Sequence, residues 1–334
     1  MNHAHTRPQR LGFARGFSLV ELMVALLITL ILLAGVAQIF LSSKKSFVIQ
    51  DSLGRLQENG RYAMETIAQD VRRAGYWGGN ADITAIHDYT SGDNKVATDD
   101  GTCADANWVR MLTHRIFGKN DTRTDYTCLP SDTTHAGDIL VLRYAAPWEV
   151  GGTTTPSYIP NQFYLRSSLF EGQLFQGNPG SIPPIDAPAV RTAELVAHGY
   201  FIHTSESSDP TKCTGSDTVP SLYRMTLANG TLTSEEIAYG VDNFQVQYGV
   251  DDAGICGSGT SNDNSVDCYV DAKAAGDAMW DKVIAARVWL LTRAECAETG
   301  YTNETTYAMG DVNYTPNDHY RRQLYTSTVR LRNR

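Results

Sequence analysis

The sequence predicts an α+β protein, one long amino-terminal helix followed by a head built on an antiparallel sheet. Three observations carry that reading. Residues 17–41 form an almost unbroken apolar run. The residues after it repeat apolar side chains at steps of three and four, the period of one helix face. Beyond Gly75 the chain breaks into short alternating runs separated by polar, glycine-rich stretches, the pattern of strands and turns.

The run from Phe17 to Leu41 is long enough to cross a bilayer as a helix. Glu21 interrupts it near its start, where a carboxylate in lipid costs roughly 2.5–3.5 kcal/mol, so it needs a partner. Arg7, Arg10 and Arg15 precede the run and favour a cytoplasmic leader, an asymmetry that Lys44 and Lys45 reduce. A secretory signal has a shorter apolar region ending in an A-x-A site, and no such site follows here. A plain single-span anchor accounts for the length but not for Glu21.

The helical pattern continues through Leu53, Leu56, Gly60, Ala63, Ile67 and Val71, with Arg55, Glu58, Arg61, Glu65, Gln69, Asp70 and Arg72 between them. Arg61 and Asp70 read as solvated charges. The pattern stops at Gly75, followed by Tyr76-Trp77-Gly78-Gly79. Helix from Phe17 to Ala74 would be about 87 Å long at 1.5 Å per residue. Gly35, Gly54 and Gly60 are weak points inside it, each costing roughly 1 kcal/mol against alanine. No proline occurs in this span, so no proline kink is expected.

In the head, strands are expected at Asp138–Tyr144, Gln162–Ser168, Gly199–His203, Leu222–Leu227, Glu235–Tyr248, Val283–Arg293 and Gln323–Arg332. Val283–Arg293 is apolar on both faces, as in a central strand. Tyr325, Ser327, Val329 and Leu331 alternate with polar residues, giving one wet face. Stretches 78–107 and 146–161 read as loops, and 176–188 as an irregular connector.

The chain carries 28 Lys+Arg against 37 Asp+Glu; without residues 1–16 the balance is 25 against 37. That acidity argues against nucleic acid as a partner, which needs a basic patch. The cysteines stand at 103, 128, 213, 256, 268 and 296, all beyond the apolar run, where a translocated head would meet oxidising conditions. They allow 15 pairings. Cys103–Cys128 and Cys256–Cys268 would each close a local polar loop, leaving Cys213–Cys296. Nothing has zinc-ligand spacing. No H-E-x-x-H, G-x-S-x-G or Walker loop occurs, and the eight histidines are scattered, so neither an enzyme nor a cofactor is expected.

Gly16, then Phe17-Ser18-Leu19-Val20-Glu21 opening an apolar helix behind a short basic leader, resembles the type IV prepilin signature. The resemblance implies cleavage between Gly16 and Phe17 by a prepilin peptidase and methylation of the Phe17 amino terminus. Glu21 would then meet the amino-terminal charge of a neighbouring subunit, since ammonium and carboxylate offset each other in lipid. The implied organisation is a leader at 1–16, a transmembrane and assembly helix at 17–41, an amphipathic continuation at 42–75 and a head at 76–334.

Two further stretches narrow the resemblance to the PilW-type minor pilins. One is residues 57–79, matching at Asn59, Gly60, Arg61, Tyr62, Ala63, Ile67, Asp70, Arg72, Ala74, Gly75, Tyr76 and Gly78. The other joins residues 248–272 to a strand matching at Val283, Ala285, Arg287, Val288, Leu290, Leu291 and Arg293. In many relatives the acidic turn between them has D-x-D-G-x-x-D form. Asn262, Asp263, Asn264 and Asp267 are similar to it, with Ser265 in place of the glycine, which makes Asn262, Asp263 and Asp267 calcium candidates.

The resemblance implies a pilin-like fold and a minor pilin that primes pilus assembly at the fibre tip, serving twitching motility, adhesion or DNA uptake. Its partners would be other minor pilins, the major pilin, an inner-membrane assembly platform and a large PilY-type tip adhesin. Before assembly it would span the inner membrane once with the head in the periplasm; afterwards it would lie in the fibre at the cell surface. A type II secretion pseudopilin shares the helix and the processing, and a tip adhesin with a ligand-binding head is a third reading.

Overall fold

The computed structural model describes residues 16–80, 82–89, 106–121, 126, 128–129, 137–150, 158–178, 190–205, 218–272 and 277–333. The chain divides into two units, Met1–Ser52 and Leu53–Arg334. The basic leader residues Arg7, Arg10 and Arg15 lie outside the described residues, as do Cys103 and Cys213.

Helix α1 (Leu19–Arg73) is one continuous element of 55 residues. Its end follows from local chemistry: the Ala74 amide still donates to the Asp70 carbonyl, and Gly75 turns into the left-handed region at φ 78°. Beyond Ser52, the stripe Leu56, Gly60, Ala63, Ile67 and Val71 is buried, as its three–four spacing requires.

After α1 come β1 (Ile86–Asp88), the short helix α2 (Ala106–Arg110), β2 (Ile116–Lys119), β3 (Ile139–Ala145), β4 (Phe163–Ser167) and β5 (Gly172–Gln176). Then follow β6 (Arg191–Ser205), β7 (Val219–Ala228), β8 (Thr231–Tyr239), β9 (Val241–Val250) and the single turn α3 (Ala253–Cys256). The chain closes with β10 (Cys268–Asp271), β11 (Val283–Arg293), the hairpin β12 (Tyr307–Met309) and β13 (Val312–Tyr314), and β14 (Arg322–Arg330).

The strands form three sheets. The largest runs β1-β5-β4-β6-β3-β2, with β7 added on β6 and β8 on β7. The fifteen residues of β6 make this possible, pairing first with β4, then with β3, and from His198 onward with β7. The second sheet is β10-β9-β11-β14, and the hairpin β12–β13 is the third. Among the described residues all pairings are antiparallel except β1 with β5. One apolar core takes side chains from the last three turns of α1 and from both larger sheets, including Ile67, Val71, Leu140, Phe201, Phe244 and Leu290. A small satellite of Trp289, Leu291 and Met309 lies under the hairpin.

The α+β architecture and the central, two-sided β11 follow the sequence reading. Several boundaries do not. Glu235–Tyr248 is two strands, broken at Gly240, whose φ of 75° turns the chain between β8 and β9. Strand β6 begins at Arg191, eight residues before the expected Gly199. The stretch read as loop from 78 to 107 contains β1, and β2, β5, β10 and the β12–β13 hairpin were not expected. Each is three to five residues long, too short to show a period.

Candidate assembly site

The amino end is a helix start with nothing packed on it among the described residues. The Ser18 carbonyl accepts the amides of Glu21 and Leu22 at 3.0 and 3.1 Å, opening α1. Glu21 lies in the first turn, where the helix dipole favours a negative charge, and its side chain is exposed. Phe17 is 85% exposed, and the large apolar side chains from Leu19 to Leu41 are exposed with it. The helix is long and apolar enough to cross a membrane. A side chain built at Gly16 would meet nothing within 4 Å, so the fold makes no use of a glycine there.

The head carries a buried polar centre that sequence reading placed on the surface. Asp70 is 3% exposed, not a solvated charge. Its carboxylate accepts the hydroxyls of Tyr144 at 2.8 Å and Tyr200 at 2.6 Å, and lies 2.5 Å from His198 Nδ1. Arg73 stands 3.8 Å away. Burial works against the charge, but the contacts of His198, Tyr200 and Tyr144 outweigh it and hold the Asp70 carboxyl below its ordinary range. The same burial, with Asp70 beside them, pushes both phenols well above theirs. Asp70 therefore ties the end of α1 to β3 and β6. The signal was present: 63, 67, 70 and 74 are also spaced four, three and four, which puts Asp70 on the buried stripe. Its partners, 74 to 130 residues away in sequence, left no local trace.

A second buried charge, Arg143, is fully enclosed and donates to the carbonyls of Trp108 at 2.7–2.9 Å and His114 at 2.8 Å. It fastens the α2 segment to β3. Arg61, by contrast, lies on the exposed side of α1.

Cys256 and Cys268 are joined in a disulfide that closes the loop between α3 and β10. Cys128 and Cys296 are disulfide-bonded as well. Inside the Cys256–Cys268 loop, the acidic turn is organised by its own amides. Asp251 accepts from Asp263 and Asn264, Asp263 from Ser265, and Asp267 from Thr260. Lys282 Nζ donates to Asn262 Oδ1 at 3.0 Å, putting an ammonium where a cation ligand set would need an open oxygen. No group of three His, Cys, Asp or Glu among the described residues is placed to hold a metal ion.

Comparison with family models gives two matches. Residues 13–37 match the prokaryotic N-terminal methylation motif, and residues 199–333 match the type IV pilus-assembly protein W. The two matches together support a PilW-type type IV minor pilin. The first match contains Gly16, Phe17, Glu21 and the opening turns of α1. The second runs from within β6 to just past β14 and so takes in the whole β10-β9-β11-β14 sheet. No curated protein and no solved structure matches the chain significantly.

Proposed function

We propose that this chain is a minor pilin that enters the pilus through its amino-terminal helix and helps to prime the fibre, standing at its tip. The observation that carries the proposal is the bare apolar helix with one carboxylate in its first turn, directly after a glycine that the fold does not need. A peptidase cuts between Gly16 and Phe17, removing residues 1–16, and Phe17 becomes the methylated amino terminus. In the bilayer, residues 17–41 hold the chain as a single span with the head on the periplasmic side. On assembly this helix bundles with those of other minor pilins and the major pilin at the inner-membrane platform. There Glu21 pairs with a neighbour's amino terminus, and each charge relieves the cost of the other in a medium that tolerates neither alone. Residues 53–73 hold the head to the helix through the Asp70 centre. The head meets a PilY-type adhesin or a neighbouring minor pilin, and the fibre serves twitching, adhesion or DNA uptake.

Glu21→Ala tests the pairing. The variant should be processed and its head should fold, while its recovery in sheared pili falls by about tenfold or more, the scale set by an unpaired charge in the membrane. Recovery at the wild-type level would refute the role of Glu21.

A further inference from the structure

Strand β14 is the last strand of the β10-β9-β11-β14 sheet and pairs only with β11. The Leu331 amide donates to Ile284, and the Ala294 amide to the Arg321 carbonyl. The register between them is unbroken, so odd-numbered residues of β14 face β11 and even-numbered ones face away. The amides and carbonyls of Leu324, Thr326, Thr328 and Arg330 therefore point to the open edge. Among the described residues nothing bonds to them.

Other edges of the head are blunted in the usual ways. β1 and β2 have three and four residues. β10 has four and is pinned by Cys268. β8 carries Glu235 and Glu236, and a register shift interrupts its pairing with β7. β14 carries charges only at its two ends, Arg322 and Arg330. It is nine residues long and regular, free of proline, with β-branched Thr326 and Thr328 at its centre.

The edge also has a floor. One open groove of about 740 Å³ lies between Tyr325 and the exposed side of α1, lined by Gln57, Glu58, Arg61 and Tyr62. A second, of about 480 Å³, lies between Arg72 and residues 328–332. In a chain of net charge −9 this second groove gathers Arg72, Arg330 and Arg332. Arg332 has no partner among the described residues, and Arg330 reaches only the Asn264 carbonyl.

We propose that the open edge of β14 accepts an extended segment of a partner protein as an added antiparallel or parallel strand, carrying Asp or Glu at the end beside Arg72, Arg330 and Arg332. Main-chain hydrogen bonds to residues 324–330 supply the binding, and the arginines set which segment fits. The inference stands on the sheet edge alone and does not depend on the pilus reading.

The test places p-benzoylphenylalanine at Thr328 of the full chain, in cells that make its natural partners, and maps the photo-adduct by mass spectrometry. The expected adduct is to an acidic, extended segment of a different protein. Its yield should fall by about tenfold or more in Arg330→Glu/Arg332→Glu. It should fall similarly in Thr326→Pro, which removes an edge amide without touching the β11 ladder. Should Thr326→Pro fail to fold, the charge reversal decides alone. Absence of an adduct, an adduct to the chain itself, or one indifferent to the charge reversal would overturn the proposal. Whether the captured protein is a pilus subunit bears separately on the function proposed above.

Discussion

Asp70 is a carboxylate on an apolar stripe, and its surroundings explain how the stripe tolerates it. Two phenols and an imidazole meet its two oxygens, so the charge is enclosed but not orphaned. An asparagine keeps one acceptor oxygen but sets an NH2 donor against the partners of the other, so at least one buried group loses its acceptor. Asp70→Asn should therefore cost about 2–3 kcal/mol in denaturant unfolding at neutral pH. The pH dependence has a definite sign. Asp70 keeps its charge in the folded head to lower pH than the ordinary value of 3.8. Its contribution is present above that value and is lost as pH falls through the lower folded value. Wild type should lose this stability on acidification below about pH 4, and Asp70→Asn should lack that part of the acid limb. An acid limb unchanged in the variant would show that the carboxylate is not held this way.

Among the elements, α1 shows how a residue that looks like a weakness can be a packing requirement. Gly60 reads as a site of lost helix propensity, yet an added Cβ there would lie 2.3 Å from Tyr325 Cε2 of β14. Gly60→Ala should gain about 1 kcal/mol of propensity but lose about 1–3 kcal/mol to overpacking, leaving the head less stable. Combining it with Tyr325→Ala in a double-mutant cycle should recover most of the loss. The loop between α3 and β10 gives a second test. Its amides bond Asp251, Asp263 and one oxygen of Asp267, and a disulfide closes it. A calcium chelator should leave the melting temperature unchanged, whereas Cys256→Ala/Cys268→Ala should cost about 2–3 kcal/mol by loop entropy. A chelator-induced drop would support the calcium reading of Asn262, Asp263 and Asp267.

The same elements show what sequence can reveal. Helix α1 was legible because its period runs without interruption to a glycine that must turn left-handed. Strand β11 was legible because both its faces are buried. Gly240 escaped notice because it lies inside a long apolar alternation, and the three-residue strands because pairing partners, not their own pattern, define them. Gly16, Phe17 and Glu21 form a local motif that needs no tertiary context. The Asp70 centre and the open β14 edge exist only once distant segments meet.

For the whole molecule, the amino-terminal half of one helix exposes apolar side chains, while the acidic head has a packed core and a polar exterior. Such a chain is complete only when lipid or other helices cover residues 17–41. That requirement is shared by pilus and secretion machines, so the choice between them belongs to the cell. The most direct measurement is deletion of the gene, scoring surface pili and twitching beside secretion of exoproteins. The account predicts loss of pili and twitching with secretion intact, restored by the wild-type gene. Normal piliation with blocked secretion would contradict it and make the chain a pseudopilin; intact pili and secretion with poor adhesion would place its function in the head alone.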